Sequence, residues 1–183
     1  TAEVTQRLLA PTTDQVIQLN MGDFQSSWDV ANIRGATKGT IGFDKETPLH
    51  KAAKFKGPWV LNLDEISRGN EAAIQIFLDA FERGHMYLTD GVRVDFSNAI
   101  VFMTTNVASD QISEQQKAAG KAGLADADFV EAVLKPALKA GGVSEAMLSR
   151  VGNDGIVAMA ELSKDELRQL VDVNLKGCLL YTS

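Results

Sequence analysis

Asp64 and Glu65 stand side by side at the end of an apolar run, "WVLNLDEI", residues 59–66. A second apolar run, "AIVFMTTN" (99–106), ends in Thr104, Thr105 and Asn106. Adjacent carboxylates at a strand end suit a hydrated Mg²⁺ together with a base that activates water. A neutral amide nearby can orient that water or a phosphate oxygen. Taken alone, the pattern favours carboxylates that simply face solvent where a strand exits. Thr104 and Thr105 read as strand-end packing rather than as catalysts.

Such residues need elements that bring strand tips together. In parallel α/β sheets ligands bind outside the carboxyl ends of the strands. Val4, Leu8 and Leu9 have helical spacing, with Pro11 beyond the stop. "QVIQLNM" (15–21) alternates and reads as a strand. Residues 22–50 read as a short helix and a long functional loop. "WVLNLDEI" is short and nearly all apolar, as a central parallel strand should be. A helix follows, with Ala73, Ile74, Phe77 and Phe81 on one face, Asn70 as its cap and Gly84 as its end. "MYLTDGVRVDF" (86–96) is a hairpin turning at Asp90-Gly91.

Further on, residues 113–125 read as a mobile loop, and 126–140 as a helix that Pro136 kinks or breaks. "GIVAM" (155–159) reads as a third short buried strand. Ser163 and Glu166 form a capping box before an amphipathic helix. Strands alternating with helices predict an α/β layered domain with a parallel sheet.

Composition narrows the function classes. The 183 residues carry 18 Lys+Arg against 24 Asp+Glu, a formal charge of −6. No basic block is visible, which argues against a nucleic-acid partner. The single cysteine, Cys178, excludes an internal disulfide. His50 and His85 have no Cys or His at ligand spacing, so a zinc site is not expected. No apolar run approaches the ~20 residues of a membrane span, and no signal peptide opens the chain. The expected location is cytoplasmic, with no membrane partner.

The order of neighbours carries more than any one of them. "LDEI", "ERGHMYLTDG", "VDFSNAIVFM" and "TTN" follow one another within residues 63–106. This succession resembles the AAA+ ATPases of the Clp type, the ClpA/ClpB unfoldases, and in particular their second ATPase ring. That family runs from an apolar strand ending in Asp-Glu, through a helix, to a Gly-Arg-Leu-Thr-Asp hairpin, Val-Asp-Phe-x-Asn, an apolar strand and Thr-Ser-Asn. Upstream, "IQLNMGDF" resembles its Asp-Met-Ser-Glu-Phe strand end, and "IRGATKGTIGF" its Gly-x-x-x-Gly-Tyr-Val-Gly pore loop. Downstream, "VSEAMLSRVGNDGIVAMAELSKDELRQLVDVNL" resembles its Pro-Glu-Phe-Leu-Asn-Arg, strand and first lid helix. The likeness covers roughly residues 1–176.

The resemblance implies a three-layer AAA+ fold, a P-loop NTPase-like parallel sheet with helices on both faces, incomplete at its N-terminus. It implies a large subdomain over 1–160, the start of a helical lid over 161–177, and a tail, 178–183, of open status. It assigns Asp64 to Mg²⁺, Glu65 to activation of water, Asn106 to sensing the γ-phosphate and Arg150 to a finger reaching a neighbouring subunit's ATP. ATP and Mg²⁺ are the implied cofactors. The implied partners are further copies in a homo-oligomeric, hexameric ring, a polypeptide substrate, and a protease or adaptor.

Two features depart from the family. No Gly-x-x-x-x-Gly-Lys-[Ser/Thr] occurs; "TAEVTQRLL" fits the helix after that loop, which would put the Thr1 hydroxyl on Mg²⁺. The pore-loop aromatic is replaced by Thr40, followed by Ile41 and Phe43, either of which could contact substrate instead. Two rivals remain: a helicase-type NTPase, which would call for Ser-Ala-Thr and a basic track, and an AAA+-derived scaffold without hydrolysis. Taken alone, the chain is expected to be inactive.

Overall fold

The computed structural model describes residues 15–36, 39 and 46–180. The expected helix over 1–10, Thr1, and the loop residues Thr40, Ile41 and Phe43 lie outside the described residues. In chain order the strands are β1 (Val16–Asn20), β2 (Trp59–Asp64), β3 (His85–Tyr87), β4 (Arg93–Asp95) and β5 (Ala99–Met103). The helices are α1 (Ser27–Arg34), α2 (Pro48–Ala52), α3 (Glu71–Arg83), α4 (Ser109–Ala119), α5 (Ala127–Phe129), α6 (Lys135–Ala140), α7 (Glu145–Val151) and α8 (Lys164–Leu180). The chain divides into two compact units, residues 1–107 with 138–150, and residues 108–137 with 151–183.

The first unit holds an α/β arrangement on a parallel sheet in the order β1-β2-β5. β2 is central, and Trp59, Val60, Leu61 and Leu63 are buried, as a nearly all-apolar central strand requires. The register sets Asn20 beside Asp64 and Leu63 beside Met103, so the three strands end close to one level. Asn62, also buried, has no hydrogen-bond partner for its side-chain carbonyl among the described residues.

α3 follows its sequence signals. Asn70 accepts the Ala72 N–H at 2.9 Å, and Gly84 ends the helix at φ 69°, a left-handed conformation that glycine adopts without a Cβ penalty. Ala73, Ile74, Phe77, Leu78 and Ala80 are buried. An aromatic cluster ties this helix to the sheet: Phe77 lies 6.1 Å from Phe81, Phe81 lies 5.8 Å from Phe96, and Phe96 lies 5.4 Å from Trp59. The Trp59 indole N–H donates to the Asp95 carbonyl at 3.1 Å.

The hairpin is β3 and β4, antiparallel, turning through Asp90 and Gly91, where φ is 90°. It fastens both flanks of the stretch between α1 and α2. The Thr89 hydroxyl donates to the Gly35 carbonyl at 2.7 Å and Arg34 Nε to the Tyr87 carbonyl at 2.9 Å. On the other flank, His50 Nε2 meets Asp90 Oδ2 at 3.1 Å, while Thr47 N–H donates to His50 Nδ1 at 2.9 Å. His85, in β3, has its Nδ1 3.0 Å from the Arg83 carbonyl oxygen.

The second unit departs from the sequence reading twice. The expected loop over 113–125 is instead the later part of α4 and a 3-10 turn, Lys121–Ala125. Ala, Gln, Glu and Lys are good helix formers, and Gly120 stops the helix at φ 70° rather than dissolving it. The expected strand over 155–159 is also absent. Val157 and Met159 are exposed, and the stretch finds no strand partner among the described residues. A short apolar run without a neighbour to pair with does not make a strand. Pro136 does not break the helix: a π-helical segment, Val130–Leu134, precedes the proline, and α6 runs through it. A proline cannot donate the bond to the carbonyl four residues back, and a widened turn accommodates that loss.

Candidate active site at the strand tips

Glu65 is one of two non-glycine residues with positive φ among the described residues, at 54° with ψ 48°. A left-handed conformation costs an ordinary residue on the order of 1–3 kcal/mol and persists only where surroundings hold it. Thr104 does the holding here. Its backbone continues the ladder, with its N–H donating to the Leu63 carbonyl at 3.0 Å and its carbonyl accepting the Ile66 N–H at 2.9 Å. Its hydroxyl accepts the Glu65 N–H at 3.3 Å and donates to Asp64 Oδ1. One side chain therefore fixes the carboxylate of Asp64 and the backbone kink that turns Glu65 out of the sheet.

The kink opens a 3-10 turn, Ile66–Arg68, anchored by buried Ile66. Ser67 accepts a hydrogen bond from the Thr105 hydroxyl at 2.9 Å, and that hydroxyl accepts the Val107 N–H at 3.2 Å. Arg68 pairs with Glu65 Oε2 at 2.8 Å. Glu65, Ser67, Arg68, Asn106 and Val107 line one open pocket of about 320 Å³.

Two of the expected groups, Glu65 and Asn106, thus line the same pocket, with Asp64 adjoining. Arg150 does not line it. It lies in α7, ion-paired with Glu82 of α3 at 3.1 Å. Thr1, Thr40, Ile41 and Phe43 lie outside the described residues. Sequence reading missed two groups. Thr104 was set aside as packing, although the parallel register already places it beside Asp64. Arg68 stands three positions after Glu65, a spacing at which opposite charges meet on one helical turn.

The donor set fits Mg²⁺. No cluster of three or more His, Cys, Asp or Glu suited to a metal exists among the described residues. Mg²⁺ does not ask for such a cage: it keeps several waters and binds through one or two carboxylates plus phosphates. Asp64 supplies one carboxylate, oriented by Thr104 and with its second oxygen unengaged among the described residues.

Residues 1–153 match the family described as AAA domain (Cdc48 subfamily). The chain is similar to the ATP-dependent Clp protease ATP-binding subunit ClpC of Staphylococcus saprophyticus, 32% identical over 160 residues, covering 86% of this chain and 19% of that protein. The ClpC of Staphylococcus aureus strain USA300 is 31% identical over the same share. In fold the chain resembles Hsp104 in an extended-conformation complex with casein from S. cerevisiae, with TM-score 0.74 at 24% identity, over 97% of this chain and 29% of that one. A closed-state Hsp104 with ATPγS and FITC casein gives TM-score 0.73 at 22% identity over the same shares. The chain spans about a fifth of the length of the curated relatives it matches.

Proposed function

The chain belongs to the AAA domain family (Cdc48 subfamily), as an AAA+ ATPase of the Clp type, and from that premise we propose that its strand tips hydrolyse ATP within an oligomeric machine that remodels polypeptides. The observation that carries the proposal is the Thr104 bridge: one hydroxyl binds Asp64 and the backbone of Glu65, beside a pocket that Glu65 shares with Asn106.

Glu65 takes a proton from water as the water oxygen attacks the γ-phosphorus. The bond from that phosphorus to the β–γ bridging oxygen breaks, and ADP leaves. Asn106 donates an amide N–H toward a γ-phosphate oxygen and reports its presence. Asp64, with Thr1, would hold Mg²⁺, whose charge would offset the negative charge of the phosphate oxygens. Arg150 completes the site of the next subunit, where a planar multi-donor cation suits spread charge. Its absence from the lining of its own pocket favours that role in trans. Thr40, Ile41 and Phe43 contact the polypeptide, and the hairpin that fastens both flanks of their segment gives that contact a fixed base.

The relatives' printed names speak of a protease ATP-binding subunit and of casein complexes. By analogy, the substrate here is an unfolded polypeptide, the assembly is a ring of six, the partner is a protease or adaptor, and the location is the cytoplasm. Phosphate release by the complete native protein, with and without an unfolded polypeptide, tests the function. Asp64→Asn should abolish release. Full release from that variant contradicts the proposal.

A further inference from the structure

Glu65 is not free in its pocket. Its Oε2 accepts a hydrogen bond from Arg68 Nη1 at 2.8 Å, and the side chains are 29% and 63% exposed respectively. The same oxygen lies 3.5 Å from where a Cβ on Gly22 would stand. Asn20 Oδ1 lies 3.1 Å and Arg68 Cδ 3.9 Å from that point. The carboxylate thus rests in a notch over Gly22, drawn toward the 3-10 turn by its neighbour three residues on.

We propose that Arg68 is a positioning residue for the hydrolytic reaction. Its guanidinium parks the Glu65 carboxylate while the pocket lacks an anion, and a terminal phosphoryl group entering the pocket draws the guanidinium away and frees the carboxylate. The inference rests on the hydrolytic reading above.

Three observations converge on it. First, both partners line the pocket that also holds Asn106, so a phosphoryl oxygen bound there meets the guanidinium as well as the amide. Second, Glu65 Oε2 is already engaged by Arg68 Nη1 at 2.8 Å, which draws the carboxylate toward the 3-10 turn. While Arg68 holds it, that oxygen is not presented to a water. Third, the exchange is inexpensive. The pair is exposed, so little holds it together, and Arg68 presents five donors, of which the structure engages one with Glu65. A phosphoryl group of higher charge offers stronger, charge-assisted hydrogen bonds to the remaining ones. A Cβ on Gly22 would press on Asn20 Oδ1 at 3.1 Å and would only touch the parked carboxylate at 3.5 Å.

A surface ion pair with no role in the reaction predicts something different, and steady-state kinetics of the complete native protein separate the two. Arg68→Ala should raise kcat roughly two- to fivefold, the range an exposed pair controls, and raise KM for ATP by a similar factor. Arg68→Lys keeps the charge and should restore both constants to within about twofold of the original. If Arg68→Ala moves only the thermal midpoint and leaves kcat and KM alone, the pair is merely structural and the proposal falls. A lower kcat in Arg68→Ala also overturns it, since the cation would then assist rather than restrain. Glu65→Gln is measured alongside. Undiminished turnover in that variant removes the hydrolytic reading itself, whatever Arg68 does.

Discussion

Thr104 and Asp64 sit on neighbouring strands, and the hydroxyl of the first donates to the carboxylate of the second while accepting the backbone N–H of Glu65. The contact joins β2 and β5 at the level where their side chains leave the sheet. It makes one threonine responsible for two features of the site: the orientation of Asp64 and the left-handed turn at Glu65.

Thr104→Val keeps the shape and removes the hydroxyl. A hydrogen bond to a charged group contributes about 1.5–3 kcal/mol, so Mg-ATP affinity should fall roughly tenfold or more, and Thr104→Ser should retain most of it. Titration of each variant with Mg-ATP checks this. Equal affinity for Val and Ser variants would separate Thr104 from the site.

Arg150 acts across a subunit boundary in the proposed mechanism. In its own subunit it is tied to Glu82 at 3.1 Å and is absent from the pocket lining. Complete Arg150→Ala and Glu65→Gln proteins should each be nearly inactive. Mixed assemblies contain interfaces where an intact Glu65 meets an intact finger, so phosphate release should partly return. A finger acting in cis leaves every site defective, and mixing would recover nothing.

Acid should loosen the start of α8. The Lys121 ammonium first, then the Ser163 N–H and hydroxyl, pull Glu166 down from its ordinary 4.5 to about 2. A carboxylate whose folded value is depressed contributes stability that is complete above its unfolded value and is lost as pH falls toward the folded one. The contribution should therefore be whole above about pH 4.5 and fade between there and about pH 2. NMR titration of Glu166 with its Lys121 partner should show this window, and Glu166→Gln should remove the pH dependence. A midpoint near 4.5 for Glu166 would mean that the capping pair does not form in solution.

Much of the frame was legible because local signals and tertiary placement agree there. The apolar run at 59–63 (broken only by Asn62), Asn70 and Gly84 around α3, and Asp90-Gly91 in the hairpin each carry their own physical reason. The loop expected over 113–125 is mostly helix because Ala, Gln, Glu and Lys extend α4 until Gly120 stops it. The strand expected at 155–159 failed because strand formation needs a partner, and an isolated sequence window cannot supply one. At the strand tips, type and position single out Asp64, Glu65 and Asn106, and the last two line one pocket. Thr104 and Arg68 were not legible, because what they do depends on a cross-strand register and on a left-handed turn at Glu65. No propensity encodes a glutamate in that conformation; only the packed Thr104 does.

The central claim is that Glu65 activates water for ATP hydrolysis, and its isosteric amide tests that most directly. In the complete native protein, Glu65→Gln should bind Mg-ATP about as tightly as the original, while phosphate release falls by roughly 10²–10⁴-fold, the range that general-base catalysis supplies. ATP should then accumulate intact on the assembly. Phosphate release at close to the original rate would contradict the account.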